Sequence, residues 1–349
     1  MVFFPLDEQL QLPEKHWRAG IVRRVTWLSG RLSYGEVCEV IAEEGDVQLH
    51  KSSAWGLVQT WGGHIGAQVA EEEAEIKAAA REWSTPGGPP EPGQRMGVAI
   101  DGAMMYILDE GWKEFKAGCV YDVELQRARD PRTGDWGEYG HATNLSYSAH
   151  LGGPEVFGWQ MWTEAQRRGW HQAQAGIVQG DGAKWIWNLR DEHFPYSETA
   201  VDWYHATEYL GTAKQLLYPD GGTAATQWYN HQETRLYQGH TRQIADDLTQ
   251  AARPYADTDI ETTLTATATY FRNNRDHMQY QDLRDAGWPI GSGMIESGAK
   301  HFKHRFTGPG MRWSRPGADN LLPVRAAVLT SKARFDDLWS RALRDSPPN

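Results

Sequence analysis

The sequence predicts an α/β protein in which a mixed β-sheet is flanked by helices and joined by an all-helical segment. Three strand-like segments follow one another between residues 95 and 151, and strands then alternate with helices up to about residue 205. Successive strands form hairpins, whereas strands alternating with helices form parallel crossovers, so the combined pattern indicates a mixed sheet. From about 206 to 288 the periodicity is only helical.

The composition is that of an ordinary globular protein. The chain has 349 residues, of which 40% are hydrophobic and 23% charged, and this length is enough for two or three structural units. The two cysteines, Cys38 and Cys119, are far apart, which excludes a disulfide framework and zinc-site spacing. No apolar run approaches the ~20 residues of a membrane span, and the first residues lack the pattern of a signal peptide. We therefore expect a cytoplasmic protein.

Changes in composition and in predicted secondary structure divide the chain into five segments. The stretch "STPGGPPEPGQR", residues 84–95, has four prolines and three glycines, which excludes regular secondary structure and indicates a linker. The predicted segments are an N-terminal helical domain (1–66), a helix with this linker (67–95), the first part of the sheet core (96–205), a helical insertion (206–288) and C-terminal helices that complete the core (289–349).

The N-terminal segment has the outline of a helix-turn-helix. A turn at Gly45-Asp46 separates a short amphipathic helix from a second helix that opens at Ser52-Ser53. Residues 51–59 then occupy the place of a recognition helix. The candidate DNA-binding residues of this segment are Lys51, Arg23 and Arg24. Plain packing of three helices gives the same pattern and remains the alternative.

The charge is unevenly distributed along the chain. The net charge of −11 argues against a general nucleic-acid coat protein. Residues 15–31, however, contain five basic and no acidic residues, and residues 291–334 contain eight basic against two acidic residues. One face of the protein is therefore predicted to be basic, the alternative being basic side chains scattered over the surface.

Two aspartates are candidates for a metal site. Asp101 closes the strand-like "VAIDG", Asp181 closes "IVQGDG", and each is followed by a glycine. In an open α/β sheet, residues at strand ends line the crevice in which ligands bind. We expect Gly102 and Gly182 to leave room there for a polyanion and for hard cations such as Mg²⁺, which prefer carboxylate oxygens. Either aspartate by itself would more simply belong to a turn.

Glu296 is the candidate third carboxylate. It lies in the first turn of a predicted helix within "PIGSGMIESGAKHFKHR", and Lys300, Lys303 and His304 follow at i+4, i+7 and i+8, on the same helical face. Three carboxylates complete a two-metal site, in which one ion activates the attacking water and the other stabilises the leaving oxygen. An ordinary solvated helix face is the alternative for this segment.

Several longer motifs carry a family resemblance. The stretches "GDGAKWIW", "HFPYSETAVDWYHATEYL" and "WPIGSGMIESGAKHFKHRFTGPGMRWS" resemble those of bacterial insertion-sequence transposases of the ISKra type, and the likeness covers roughly residues 96–340. These are DDE recombinases with an RNase H-like fold. The resemblance implies metal-dependent DNA cleavage at the ends of an insertion sequence and transfer of the freed strand into target DNA, a recombination reaction.

The resemblance also implies roles for individual residues. Asp101, Asp181 and Glu296 match the DDE triad, which holds two Mg²⁺ or Mn²⁺ ions. Asp202 and His205 match the DxxH motif shared with Mutator-like transposases, a structural hydrogen bond being the alternative. Trp313 is expected to stack on an unpaired base or to lie in the core. The residues expected to bind DNA are Lys300, Lys303, His304, Arg305, Arg312, Trp313 and Arg315, and the expected partners are double-stranded DNA and a second copy of the chain.

Two other functions remain open at this point. A transposase-derived protein that binds DNA without cutting it would keep the same motifs. A glycoside hydrolase would use paired carboxylates and the abundant tryptophans, of which there are 17. A hydrolase of that kind needs no metal and has no use for the basic run between residues 300 and 315.

Overall fold

The computed structural model describes residues 17–80, 94–130, 132, 134–291, 293–308 and 310–345, and for residues 293–299 it describes only the helical backbone. Most of the proline- and glycine-rich stretch predicted as a linker lies outside these ranges. Its last residue, Arg95, already begins the first strand.

Five strands form one mixed sheet. They are β1 (Arg95–Ile107), β2 (Gly111–Arg129), β3 (Trp136–His150), β4 (Ala175–Gly180) and β5 (Glu198–Val201). The order across the sheet is β3-β2-β1-β4-β5, in which β1, β2 and β3 are antiparallel, β4 runs parallel to β1 and β5 runs parallel to β4. The prediction of an α/β protein with a mixed sheet and flanking helices is confirmed.

The strand β1 divides its side chains between two layers. Successive residues of a strand point to opposite faces. Met96, Val98 and Ile100 pack against α4 (Pro154–Arg167) and α5 (Lys184–His193) on one face. Ala103, Met105 and Ile107 instead belong to a core on the other face that they share with helices from both ends of the chain.

The N-terminal and C-terminal helices form this second layer together. The N-terminal helices are α1 (Ala19–Ser29), α2 (Tyr34–Gly45) and α3 (Lys51–Ala80), and the C-terminal helices are α11 (Gly293–Phe306), α12 (Arg315–Thr330) and α13 (Lys332–Asp345). Their buried apolar residues form one continuous cluster. The described part of the predicted domain 1–66 therefore has no separate core of its own.

The predicted recognition helix differs from the helix that the structure shows. Instead of one short helix at 51–59 and another at 67–84, a single α3 runs from Lys51 to Ala80. Its buried side includes Trp61, and the Trp61 ring packs on that of Trp339 in α13 at 4.4 Å between centroids. Because α3 packs along α12 and α13, the position of its exposed side depends on the C-terminal helices.

The segment predicted as a helical insertion is helical. It contains α6 (Trp203–Leu217), α7 (Gly222–Tyr237), α8 (Thr241–Ala252), α9 (Asp259–Asn273) and α10 (Tyr280–Asp285). Its buried residues form a cluster of their own that also includes Val201 at the end of β5. The insertion therefore packs on the β4–β5 side of the sheet.

Two further expectations differ from the structure. The stretch "TAVDWYH" has the pattern of a short strand, but the strand ends at Val201 and α6 begins directly after Asp202. The amphipathic pattern near 318–344 predicts one long helix, whereas the structure has two, because Ser331 has an extended backbone (φ −172°) between α12 and α13. None of the helices in the described ranges is both long and apolar enough to cross a membrane.

The close contact between α3 and α12 gives a test of this shared core. A Cβ atom at Gly62 would lie 2.2 Å from the backbone oxygen of Asn320 in α12. We expect Gly62→Ala to lower the free energy of unfolding by about 1–3 kcal/mol, because overpacking against a backbone atom forces the helices apart. Urea denaturation of the full chain measures the change.

Gly56 provides a matched control in the same helix. No atom lies within 4 Å of the position that its Cβ would occupy. Gly56→Ala should therefore raise stability by up to about 1 kcal/mol, because alanine is the better helix former. Equal effects of the two substitutions would contradict close packing of α3 on α12.

Candidate active site

Asp101 in β1 and Asp181 after β4 lie just beyond the same end of the parallel β1–β4 pairing. The parallel pairing of β1 with β4 runs up to Ala99 opposite Gln179, and each aspartate stands two residues beyond this pair. Asp181 directly follows β4, whereas Asp101 lies in the middle of β1, so the expectation that Asp101 ends its strand was wrong. What ends near Asp101 is the pairing of β1 with β4.

The two carboxylates influence each other electrostatically. Burial raises the pKa of Asp101 above its ordinary value, the nearby Lys303 ammonium opposes this rise, and the negative charge of Asp181 adds to it. A carboxylate next to another carboxylate and partly out of water favours a bound cation, because the cation relieves both penalties. The pair is therefore suited to binding a positive charge.

Lys303 supplies a positive charge to this pair from α11. Its Nζ lies 3.5 Å from Oδ2 of Asp101, and the Lys303 side chain remains 46% exposed. Phe302 and Phe306 of the same helix are fully buried, and their rings lie 6.4 and 6.0 Å from that of Phe115 in β2. The aromatic packing fixes the rotation of α11, and this rotation directs Lys303 toward Asp101.

The segment that leads into α11 is held at the end of β4. The Gln179 side chain donates a hydrogen bond to the backbone oxygen of Pro289 (2.8 Å). The backbone oxygen of Ile290 accepts from the Trp203 N–H (3.1 Å), directly after Asp202, whose own N–H donates to Gly180. The chain therefore enters α11 beside the ends of β4 and β5.

Glu296 belongs to the part of α11 that follows these two attachments. It follows Ile290 by six residues and precedes Lys303 by seven, within the helical backbone of α11. Glu296, Lys300 and Lys303 share one face at i, i+4 and i+7. The side chain of Glu296 lies outside the described part of the structure, so its expected role as a metal ligand stays a prediction.

The glycines next to the aspartates differ in their surroundings. Gly182 has φ +93°, a conformation that favours glycine. A Cβ there would lie 3.0 Å from Asn274 and Tyr270 of the insertion, and a Cβ at Gly102 would lie 2.4 Å from Glu114. The backbone conformation and the neighbouring insertion favour glycine at 182, whereas the flexible Glu114 side chain can move away from position 102. The expected room for a ligand stays a prediction.

Two tyrosines of the helical insertion support Asp181, and the sequence analysis did not identify them. The Tyr270 hydroxyl donates to the backbone oxygen of Asp181 (2.9 Å), and the Asp181 carboxylate accepts from the Ala183 N–H (2.8 Å). The ring of Tyr209 stacks on that of Tyr270 at 3.9 Å. Burial and the nearby Tyr209, Asp181 and Asp202 raise the pKa of Tyr270, so its hydroxyl stays protonated and remains a donor. No spacing rule connects residues 181 and 270 in the sequence.

The Asp202–His205 pair has a structural function in this conformation. The buried carboxylate of Asp202 accepts a hydrogen bond from the backbone N–H of His205 (2.8 Å) and so caps the N-terminus of α6. The His205 ring instead packs edge-on against Tyr209 at 5.4 Å. This geometry favours the structural alternative for the DxxH motif and attaches the insertion close to Asp181.

The basic residues expected to bind DNA fall into two groups. Those that remain exposed are Lys51, Arg24, Lys300, Lys303, His304 and Arg312. Arg305 is only 2% exposed and donates to the backbone oxygen of Ser29 (2.8 Å). Arg315 is held by both carboxylate oxygens of Glu110 (2.7 and 2.6 Å), and Arg23 pairs with Asp336.

Trp313 occupies the core position that the sequence left open as an alternative. It is 7% exposed, its indole N–H donates to the backbone oxygen of Phe306 (2.9 Å), and its backbone bridges β1 at Ile107. Its ring is therefore not available to a base in this conformation. Arg305 and Trp313 together join α11 to the edge of the sheet.

The described residues contain no group of three or more His, Cys, Asp or Glu side chains placed to hold a metal ion. Asp101 and Asp181 are among the described residues, whereas the side chain of Glu296 is not. No protein-family model matches the chain, and no curated protein is significantly similar to it.

The capping role of Asp202 gives a stability prediction. We expect Asp202→Ala to lower the free energy of unfolding by about 0.5–2 kcal/mol, because α6 loses its N-cap. Asp202→Ser keeps a cap and should retain most of the stability. Urea denaturation measures both changes, and equal losses for the two variants would show that capping is not what Asp202 contributes.

The raised pKa of Asp101 gives a second prediction, with a defined sign. The folded protein binds more protons than the unfolded chain between the ordinary pKa of 3.8 and the raised value. Stability therefore falls as pH rises through that window. Asp101→Asn removes this penalty, so we expect the variant to be more stable than the wild type at neutral pH, with a smaller gain in acid.

Asp220, an exposed residue in the loop before α7, provides the control. Asp220→Asn should leave the dependence of stability on pH unchanged in denaturation measured across the acid to neutral range. A less stable Asp101→Asn variant at neutral pH would mean that the attraction of Lys303 outweighs the burial of Asp101.

Proposed function

We propose that this protein is a DNA transposase that cleaves DNA at the ends of an insertion sequence and joins the freed strand to target DNA in a metal-dependent reaction. The observation that carries the proposal is the meeting of Asp101 and Asp181 at one edge of two parallel strands, with α11 crossing beside them. The resemblance of the surrounding motifs to DDE transposases supports the same reading.

The sheet supports an RNase H-like form of the fold. Its order is β3-β2-β1-β4-β5, so Asp101 in β1 lies on the strand adjacent to β4, which Asp181 directly follows. The third carboxylate, Glu296, belongs to a helix that follows the insertion and packs back on β1 and β2. On this proposal, three residues far apart in the chain would meet at one end of the sheet.

The donor set fits hard divalent cations. Asp101, Asp181 and Glu296 supply carboxylate oxygens, the ligand type that Mg²⁺ and Mn²⁺ prefer. When bound, two such ions would activate a water or a 3′-hydroxyl and stabilise the leaving oxygen. Burial raises the pKa of Asp101, and the charge of Asp181 raises it further. The ionised carboxylate is therefore unfavourable in this environment, and a cation at this position would remove that electrostatic cost.

The residues around the carboxylates would position the DNA. Lys303 reaches Asp101 (3.5 Å) and has 46% of its side chain exposed, so the same ammonium is accessible to a backbone phosphate. Lys300 and Arg312 are exposed nearby in the chain, and contacts of this kind weaken steeply with added salt. Tyr270 would hold Asp181 in place through its backbone oxygen (2.9 Å), which reduces the motion of a ligand to the metal.

The proposed oligomer follows from the reaction. Two ends of an element have to be joined to one target, so a homodimer or a larger assembly on double-stranded DNA is expected. The exposed basic residues of the N-terminal helices, Lys51 and Arg24, would contact the DNA outside the cleavage site. A cytoplasmic, nucleoid-associated protein is the corresponding proposal for location.

A substitution in the third carboxylate tests the proposed function. We expect Glu296→Gln to bind DNA with unchanged affinity and to nick it at least roughly a hundredfold more slowly, because removing one charge at the reacting centre costs about that factor. The substrate is a plasmid that carries the DNA flanking the coding sequence on both sides. Nicking and strand joining are followed with Mg²⁺ or Mn²⁺ and after chelation.

Glu75→Gln is the matched control, since Glu75 is an exposed glutamate on α3. It should nick and join like the wild type. Full activity of Glu296→Gln would remove Glu296 from the site. Tight DNA binding without any metal-dependent nicking by the wild type would instead support the DNA-binding protein that no longer cuts.

A further inference from the structure

A basic pocket lies on the side of α11 next to the face that carries Lys303. It has a volume of about 340 Å³ and lies between α11, α12, β3 and the end of α1. The residues lining it are Arg31, Tyr147, His301, His304, Arg325 and Leu329. Four of these six side chains are basic, and none of these lining residues carries a carboxylate.

The floor of the pocket contains buried arginine. Arg325 is 3% exposed and donates to the backbone oxygens of Gly30 and His301. Its guanidinium is therefore held by backbone oxygens of the protein at the wall of the pocket. The charged groups that act on Arg325 are the cations Arg305 and Arg31. A buried charge that no carboxylate offsets is costly, so an anion in the pocket would lower this cost.

The charges around the pocket repel one another. Burial and, to a smaller extent, the nearby Arg305 and Arg31 together lower the pKa of Arg325 to about 10. Burial also lowers the pKa of His301, and Arg325, Arg31 and His304 act in the same direction. The carboxylate of Glu36 attracts His304 and Arg305 from α2, but it is already bonded to the Ser33 N–H (2.8 Å).

We propose that this pocket is a phosphate-binding site, taking the phosphate of a DNA backbone or of a small free phosphate compound. The guanidinium groups of Arg31 and Arg325 offer the planar donors that suit phosphate oxygens. His301 and His304 add ring N–H donors at the exposed rim of the pocket. Phosphate binding at this position does not require the metal-dependent reaction proposed above.

The two histidines make the proposed site sensitive to pH. An anion in the pocket favours the protonated form of His301, which the arginines otherwise disfavour. Binding is therefore accompanied by proton uptake, and affinity rises as pH falls through the range in which histidine titrates. The other titratable groups that face His301 and His304 are Tyr147 on β3, Lys300 on α11 and Glu36 on α2. Among these, burial raises the pKa of Tyr147, so it stays neutral in this range.

Calorimetric titration of the full chain tests the proposal without any divalent metal. Inorganic phosphate is titrated into the wild type and into the double variant His301→Gln/His304→Gln. We expect the double variant to bind phosphate at least roughly tenfold more weakly, the effect of losing one charged hydrogen bond. Inorganic sulfate, whose charge is constant, is then titrated at about pH 6 and about pH 8, and the wild type should bind it more tightly at the lower pH.

Two further variants separate binding from folding. His231→Gln changes an exposed histidine on α7 and should bind phosphate like the wild type. Arg31 is exposed, and it contacts the Trp27 ring (4.9 Å) and the backbone oxygen of Val328 (3.2 Å). Arg31→Gln should weaken phosphate binding as the double variant does. Thermal unfolding of each variant confirms that its fold is retained.

The source of the phosphate follows from a parallel titration with a duplex oligonucleotide. Equal weakening of duplex and phosphate binding in the double variant assigns the site to a DNA backbone. Weakening of phosphate binding alone assigns it to a small phosphate compound. The proposal is overturned if the wild type binds no phosphate or if the double variant binds it equally well. Because no metal is present, each result is independent of DNA cleavage.

Discussion

The attachment of residues 288–290 to the sheet determines where the candidate active site forms. Arg95 at the start of β1 covers the Trp288 ring at 3.8 Å, and Gln179 of β4 binds the Pro289 backbone (2.8 Å). These contacts return the chain to the sheet after the long helical insertion. From that point α11 crosses the strand ends and brings Lys303 to Asp101. The insertion contributes in turn by holding Asp181 through Tyr270.

The candidate site is characterised by the balance between its negative and positive charges rather than by any single residue. Burial and the nearby charge of Asp181 disfavour the ionised form of Asp101, and the single flexible ammonium of Lys303 offsets only part of this cost. Such a site is held in place by its surroundings, here the aromatic packing of α11 on β2 and the stacked Tyr209 and Tyr270. Electrostatic penalties of this kind are typical of sites that bind a cation or change charge during a reaction.

Much of the basic charge that the sequence concentrates near the C-terminus is used inside the protein. Arg305 and Arg325 bind backbone oxygens of the α1 region, and Arg334 binds Glu72 of α3 with both of its terminal nitrogens. These contacts join the C-terminal helices to the N-terminal ones in one core. They also leave the buried guanidinium of Arg325 at the wall of the basic pocket, which is a chemical setting for an anion that a count of charges does not predict.

The sequence by itself determined the order of strands and helices along most of the chain and the choice of candidate carboxylates, because strand alternation, helical periodicity and turn residues depend on near neighbours in the chain. It predicted the mixed sheet, the helical insertion and the three acidic residues. Only the tertiary structure decided that Trp313 and Arg305 are buried, that Gly182 is required by Asn274 and Tyr270, and that the N-terminal helices share a core with the C-terminal ones. Each of these depends on contacts between residues distant in the chain, whose geometry is set by packing and leaves no periodic signal in the sequence.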